Sequence, residues 1–213
     1  MELMYIIKKK MKMEDFFDFG DEPVSSTIQV HSSRLIEVKN GIDEHWNLVK
    51  GIYEGINFPV TFKQEYGKKL KDILGTGLVS LYLISDKFKN VLELNQLTGW
   101  KTFPIKLYDK KGNEINGYHG FSITGHCSGL SYKKSQIIEK RFVPNGPLCK
   151  YFKGTFIENW DGSDFFTPDK KFHTFITRNA AEAIQKNKLT NVYLENLAEI
   201  EVDVDIVRES EIR

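Results

Sequence analysis

The stretch WDGSDFFTPD, residues 160 to 169, sets Asp161, Asp164 and Asp169 among Trp160, Phe165 and Phe166. Three carboxylates in ten residues invite three readings: a cation loop, a catalytic acid and base, or a surface that grips another protein. A calcium loop needs oxygen ligands at alternate positions, a central glycine and a bidentate Glu at its twelfth position. Here Gly162 comes too early and that Glu is absent. Paired carboxylates hydrolyse glycosides only at a set separation across a sugar cleft, and nothing around Asp161 and Asp164 points to such a cleft. Asp161, Gly162, Ser163, Pro168 and Asp169 are turn formers, and Phe165 and Phe166 can hold such a loop in the core. Aromatic anchors ringed by polar groups also have the composition of interface centres. Trp160 and one of the two Phe side chains are the expected exposed anchors. Trp160, Asp161, Asp164 and Phe165 are therefore the expected partner-binding residues, with Asp161 or Asp164 pairing a Lys or Arg.

The remaining reactive side chains form weaker patterns. His119, His126, Cys127 and Cys149 match no compact zinc spacing, and adjacent His126 and Cys127 would point to opposite sides of a strand. No metal site and no cofactor is expected. The same groups offer a nucleophile and a base, but no nucleophile sits in a sharp turn or at a helix entry. Gly112, Gly117, Gly120, Gly125 and Gly129 lie three to five apart in β-like sequence, which reads as turns rather than as a phosphate loop.

Composition bounds the rest. The 213 residues are 40% hydrophobic, 13% aromatic and 28% charged, the profile of a soluble chain that builds its own core. Thirty basic residues against twenty-nine acidic ones argue against a dedicated nucleic-acid binder. Lys8, Lys9, Lys10 and Lys12 form the main basic cluster and read as a protected strand edge. Those lysines also cut short the apolar run Met4 to Ile7, so neither a secretory signal nor a membrane span is expected there. With two cysteines 22 positions apart and no Cys-x-x-Cys, cytoplasmic residence is the expectation.

The pattern predicts strands over Met4–Lys10 and within Ser26–Val38, with an irregular segment over Asp15–Pro23. Tyr66, Leu70, Ile73 and Leu74 fall at helical spacing and predict an amphipathic helix over Gln64–Leu74. Leu78 to Ile84 reads as a buried strand, after which Ser85 caps a helix whose Phe88, Val91 and Leu92 face the core. A near copy stands 92 residues later: Ile84 and Ser85 match Ile176 and Thr177, Asn95, Leu97 and Thr98 match Asn187, Leu189 and Thr190, and Gly99 matches Asn191. Each copy leads into a strand, Thr102–Leu107 or Val192–Ile200. Asn145-Gly146 predicts a turn between strands, and the alternating tail Glu201–Val207 predicts a half-buried strand. The fold class is α+β: mixed or antiparallel sheets, a few amphipathic helices, and two similar strand-helix-strand units. One domain over residues 1–213 is expected, with lobes near 1–110 and 111–213, because no Pro, Gly and Ser linker divides it.

LISDKFKNVLELNQLTGWKTFPIKLYDKKGN, the WDGSDFF segment and FITRNAAEAIQKNKLTNVYLENLAEIE, in that order, resemble the bacterial immunity proteins of polymorphic toxin systems, in particular a large α+β group first catalogued as an uncharacterised domain. The likeness covers mostly residues 78 to 201. It implies a cytoplasmic, non-enzymatic protein whose partner is a cognate protein toxin, bound and occluded. The near-neutral charge departs from the acidic faces that oppose nucleases. Two other readings stay open: a small hydrolase built on the acidic loop or on His119 and His126, and a regulatory interaction module without a toxin. Toxin identity, true interface and oligomeric state are not written in the sequence.

Overall fold

Ser85 and Thr177, each followed by nine helical residues, dictate the centre of the fold. A computed structural model describes residues 12–22, 27–32, 38–39, 42–141, 143–169, 173–207 and 209–212. The expected strand at Met4–Lys10 and the lysines at 8 to 10 lie outside these residues. In chain order come β1 (Phe16–Asp21), β2 (Gln29–Ser32), β3 (Val38–Lys39), β4 (Ile42–Asp43), α1 (Glu44–Lys50) and β5 (Val60–Tyr66). The first strand-helix-strand unit follows as β6 (Ile73–Gly75), β7 (Tyr82–Ser85), α2 (Asp86–Leu94) and β8 (Trp100–Phe103), then β9 (Ile105–Tyr108) and β10 (Tyr118–Ile123). Next are β11 (Gly125–Cys127), β12 (Gly129–Ser131), β13 (Gln136–Arg141), β14 (Leu148–Lys153) and β15 (Phe156–Glu158). The second unit is β16 (Phe165–Pro168), β17 (Thr174–Thr177), α3 (Arg178–Lys186) and β18 (Val192–Asn196), followed by β19 (Glu201–Asp203) and α4 (Glu209–Ile212). The class is α+β, with sheets that mix parallel and antiparallel pairs, as the sequence predicts.

The two units are structural copies, and the copy runs further than the sequence match. One sheet has the order β6-β7-β10-β8 and the other contains β16-β17-β1-β18. Ile73 pairs Ile84 in the first as Phe165 pairs Ile176 in the second, each 92 positions on. The third strand obeys the same rule, although it comes from elsewhere in the chain. Phe121 of β10 lies between Tyr82 and Thr102, and Phe19 of β1 lies between Thr174 and Leu194, the same two register positions shifted by 92. The first unit draws its third strand from after its helix, and the second draws its own from the start of the chain. Within Asp15–Pro23, expected to be irregular, Phe16–Asp21 is for that reason an inner strand of the second sheet.

Each helix is built alike. Ser85 Oγ accepts the Phe88 amide at 3.1 Å, and Thr177 Oγ1 accepts the Ala180 amide at 3.3 Å; such caps are worth about 1 kcal/mol. At the far ends, the Asn95 and Asn187 side-chain amides donate to Val91 O and Ala183 O, both at 2.8 Å. The chain then turns left-handed at Gln96 and Lys188, and again at Gly99 and Asn191. Between these ends α2 buries Phe88, Val91 and Leu92, and α3 buries Ala180, Ala181, Ala183 and Ile184.

An aspartate ties each unit to the other. Asp72 accepts the Ser85 hydroxyl of its own unit, and the amide and hydroxyl of Thr190 in the opposite unit, all within 3.0 Å. Asp164, 92 positions later, accepts the Thr177 hydroxyl of its own unit and the amide and hydroxyl of Thr98 in the opposite unit at 2.8, 2.9 and 3.0 Å. Reciprocal contacts of this kind are the signature of a two-fold relation, here within one chain. Burial pushes the Asp72 carboxyl up, but the bonds from Thr190 and Ser85 and the charge of Lys87, 3.6 Å away, outweigh it and hold Asp72 below its ordinary value.

Strand residues alternate between two buried faces. Inward, Ile73, Ile84, Phe121, Phe165, Ile176 and Phe19 join the helices in a central cluster. Outward, Leu74, Leu83 and Phe103 of the first unit meet Val30, Leu48 and Phe62, brought by β2, α1 and β5. Phe166, Phe175 and Phe16 of the second unit meet Leu130, Tyr132 and Phe152, brought by residues 125–158. Two lateral layers thus flank the duplicated centre. Because each unit completes the other's aspartate clamp, we infer that residues 1–213 fold as one cooperative unit.

Within Leu78–Ile84 strand begins only at Tyr82, and Thr102–Leu107 is divided between β8 and β9, which belong to different sheets. Two further expected elements are different in kind. Gln64–Leu74 is not a helix: β5 runs to Tyr66, and β6 begins at Ile73, with Ile73 and Leu74 fully buried while Tyr66 and Leu70 are half exposed. The helical spacing arose where two unrelated strand ends meet. Of the tail, only Glu201–Asp203 is strand; a 3-10 turn covers Val204–Ile206 and leaves Ile206 at the surface, with Asp203 accepting the Asp205 amide at 2.9 Å.

The clamp makes acid sensitivity predictable. A carboxyl held below its ordinary value in the folded chain stabilises it above about pH 4 and loses that contribution as pH falls through the folded value. Asp72→Asn is expected to cost about 1 to 3 kcal/mol at pH 7, with the gap to the parent narrowing below about pH 4. Denaturant unfolding at pH 7 and pH 3 checks this, and a gap that stays constant contradicts it.

Candidate functional site

Residues 158–169 leave β15 and return to the central cluster through β16, so the acidic loop is positioned by the start of the second unit. Asn159 and Gly162 adopt left-handed backbone that tightens the turn. Asp161 closes it: one carboxylate oxygen accepts the Ser163 amide at 2.9 Å, and the other accepts the His126 amide at 2.8 Å and faces His126 Nδ1 at 3.1 Å. Burial would raise the Asp161 carboxyl, but the amides of Ser163 and His126 and the neighbouring imidazole hold it below its ordinary value. Trp160 donates its indole N–H to Ser163 O at 2.9 Å and packs edge-on against Phe16 at 5.2 Å, leaving part of its ring exposed. The loop lies so close to Gly99 that a Cβ there would sit 2.0 Å from Phe165 O. Only glycine suits that position, where φ is also +82°.

The four residues expected to meet a partner separate into two pairs. Trp160 and Asp161 lie at the surface of the loop. Asp164 is committed to the clamp between Thr98 and Thr177. Phe165 has no exposed surface and packs at 5.6 Å against both Phe19 and Phe121, and Phe166 is likewise fully buried. Neither Phe is therefore an exposed anchor. The reason is periodicity: β16 is buried on both faces, so successive side chains enter the central cluster and the lateral one.

The histidines of the other reactive groups each stand beside a separate aspartate. His119 meets Asp86 at 2.7 Å, His126 meets Asp161 at 3.1 Å, and His173 meets Asp18 at 3.5 Å. The three pairs share no residue and involve different elements, with His119 on β10, His126 on β11 and His173 just before β17. A His-Asp pair can orient an imidazole as a general base, but a base needs a nucleophile within reach. Cys127, next to His126, points the other way into the core, where burial pushes its thiol up to about 12. It is protonated at neutral pH. Among the described residues no group of three or more His, Cys, Asp or Glu side chains could hold a metal ion. A cavity of about 250 Å³ opens beside Asp21, Gln29 and Tyr82 under the turn at residues 75–80, and its lining includes none of His119, His126 and His173.

Sequence reasoning missed Asp72 and the roles of Thr98 and Thr190. Their signal was available, since the 92-residue offset that aligns Ser85 with Thr177 also aligns Asp72 with Asp164. The false helix over Gln64–Leu74 hid it.

What the arrangement offers is a loop edge of Trp160, Asp161 and His126, held by hydrogen bonds and with exposed polar atoms. Among the described residues no helix is long and apolar enough to cross a membrane. The model of the Immunity protein family (Imm11) matches residues 22–199. No curated protein matches the chain.

Burial sorts the loop's residues by experiment. Phe165→Ala is expected to cost about 3 to 5 kcal/mol, and His126→Ala to stay within about 1 kcal/mol because its ring is exposed. Thermal unfolding of both variants checks this, and equal losses contradict it.

Proposed function

The chain belongs to the Imm11 immunity protein family, and from that membership we propose that it neutralises a cognate bacterial protein toxin by binding and covering it. The family match over residues 22–199 is the observation that carries the reading. The surroundings of the reactive groups support occlusion over chemistry, because the buried Cys127 thiol and the separated His-Asp pairs supply no activated nucleophile. A stable inhibitory complex buries about 1,600 Å² in all, a small share of the 13041 Å² that the chain exposes. The toxin arises in the same cell or in a neighbour of the same kind, which places the encounter in the cytoplasm.

In this reading the edge of the acidic loop contributes contacts through Trp160, Asp161 and His126, with Asp161 facing a basic group of the toxin. Asp164 and Phe165 contribute only by holding that edge in place. Co-expression of the chain with the toxin-like protein encoded beside it is expected to restore growth and to yield a co-purifying pair. The surface variant His126→Lys with Glu158→Lys, which keeps a positive group beside Asp161 and adds positive charge at the exposed edge, is expected to keep the parent's unfolding midpoint and to bind at least about ten-fold more weakly, as like charge at an interface rim does. Unchanged affinity removes the loop from the contact surface. Failure of every neighbouring toxin-like protein to bind or be neutralised removes the reading itself.

A further inference from the structure

We propose that the β13–β14 hairpin is a docking edge for an extended, acidic segment of the partner protein, which adds to the sheet alongside β13. The proposal rests on the binding reading above and names where and how part of the partner is held.

The sheet order is β13-β14-β19, so β13 is an edge, and among the described residues it pairs only with β14. Its pairing is regular over all six residues, from Gln136 opposite Lys153 to Arg141 opposite Leu148. Long regular edges are normally covered, bulged or shortened, because their unpaired amides and carbonyls recruit other strands. This one is open. Every residue of β13 except Ile138 is exposed. The hairpin also carries apolar side chains at its surface, with Ile137 58% exposed, Leu148 55% and Val143 51%. Register places Ile137 and Leu148 on one face, opposite Phe152 and Arg141 respectively. A strand laid beside β13 would meet apolar Ile137 at one end of that face and the Arg141 guanidinium at the other, with pairing of the backbone between them.

Charge selects the occupant. From Lys133 to Lys153 there are six basic residues and one acidic residue, Glu139, in a chain otherwise net negative. Lys140 and Lys153 pair with Glu201 and Glu199 of the adjoining strand and turn, and Lys150 lies 3.8 Å from Glu139. Lys133 and Lys134 are exposed at the base of β13. Two copies of this hairpin would bring like charges together, which disfavours self-pairing. An acidic strand is attracted by the same charges. The hairpin and Trp160 also grow from one lateral cluster, through Phe152 and Phe16, so the edge and the acidic loop belong to the same end of the fold.

The test uses the full chain and the toxin-like protein encoded beside it, with an oligo-dT strand as the competing polyanion. In the complex, amide exchange over residues 136–141 is expected to slow at least about ten-fold, as paired edge amides do. The surface variant Lys133→Glu, Lys134→Glu, Ile137→Asp is expected to keep the parent's circular dichroism and unfolding midpoint while losing about ten-fold or more in affinity, with a weaker salt dependence than the parent. Unchanged exchange over 136–141, or unchanged affinity of the folded variant, overturns the hairpin proposal and leaves the binding reading standing. Protection of 136–141 by oligo-dT but not by the protein also overturns it. A parent chain that binds no such protein overturns both.

Discussion

Two aspartates, 92 residues apart, hold the structure together by crossing between its halves. Asp72 and Asp164 each grip the hydroxyl that caps a helix in their own unit, and the threonine that ends the helix of the other. Each carboxylate accepts bonds from a backbone amide and two hydroxyls, which hydrogen bonding to a charged group makes worth more than neutral pairs. The contact fixes the start of each helix, the end of the other helix and the first strand of each sheet at once. Around it the two sheets adopt the same order and register, and their inward side chains meet in one core.

What the duplication does not share is added at its two sides. β2, α1 and β5 thicken one side of the duplicated centre and β12 to β15 the other, and the second addition carries the exposed β13–β14 hairpin and leads into the acidic loop. A rigid centre with distinct additions on its two sides suits a protein that presents shape. The loop that first suggested chemistry divides accordingly: Asp164 and Phe165 serve the centre, and Trp160 and Asp161 face outward.

Local signals were legible in the sequence, and distant ones were not. Ser85 and Thr177 announced helix starts because a cap is a contact three residues long. The Asn145-Gly146 turn was readable for the same reason, and Asn145 does take the left-handed conformation. The duplication was visible mainly over its helices, where caps and apolar spacing repeat; beyond Ile84 and Ile176 its strands differ in side chains, as Ile73 against Phe165 shows, and agree in register. That Phe16–Asp21 completes the second sheet was invisible, since it pairs with residues more than 150 positions away. Periodicity misled at Tyr66, Leu70, Ile73 and Leu74, where two strand ends mimic a helical stripe. It also could not tell that Phe165 is buried, because a strand covered on both faces shows no alternation.

Stoichiometry tests the central claim that the chain acts by covering its toxin. In a titration of purified toxin with this chain, activity and complex formation followed together, the account predicts that activity falls in direct proportion to complex and reaches zero only when the toxin is saturated. Loss of activity at a small fraction of the saturating amount, without a lasting complex, would mean that the chain alters the toxin chemically, and would contradict the account.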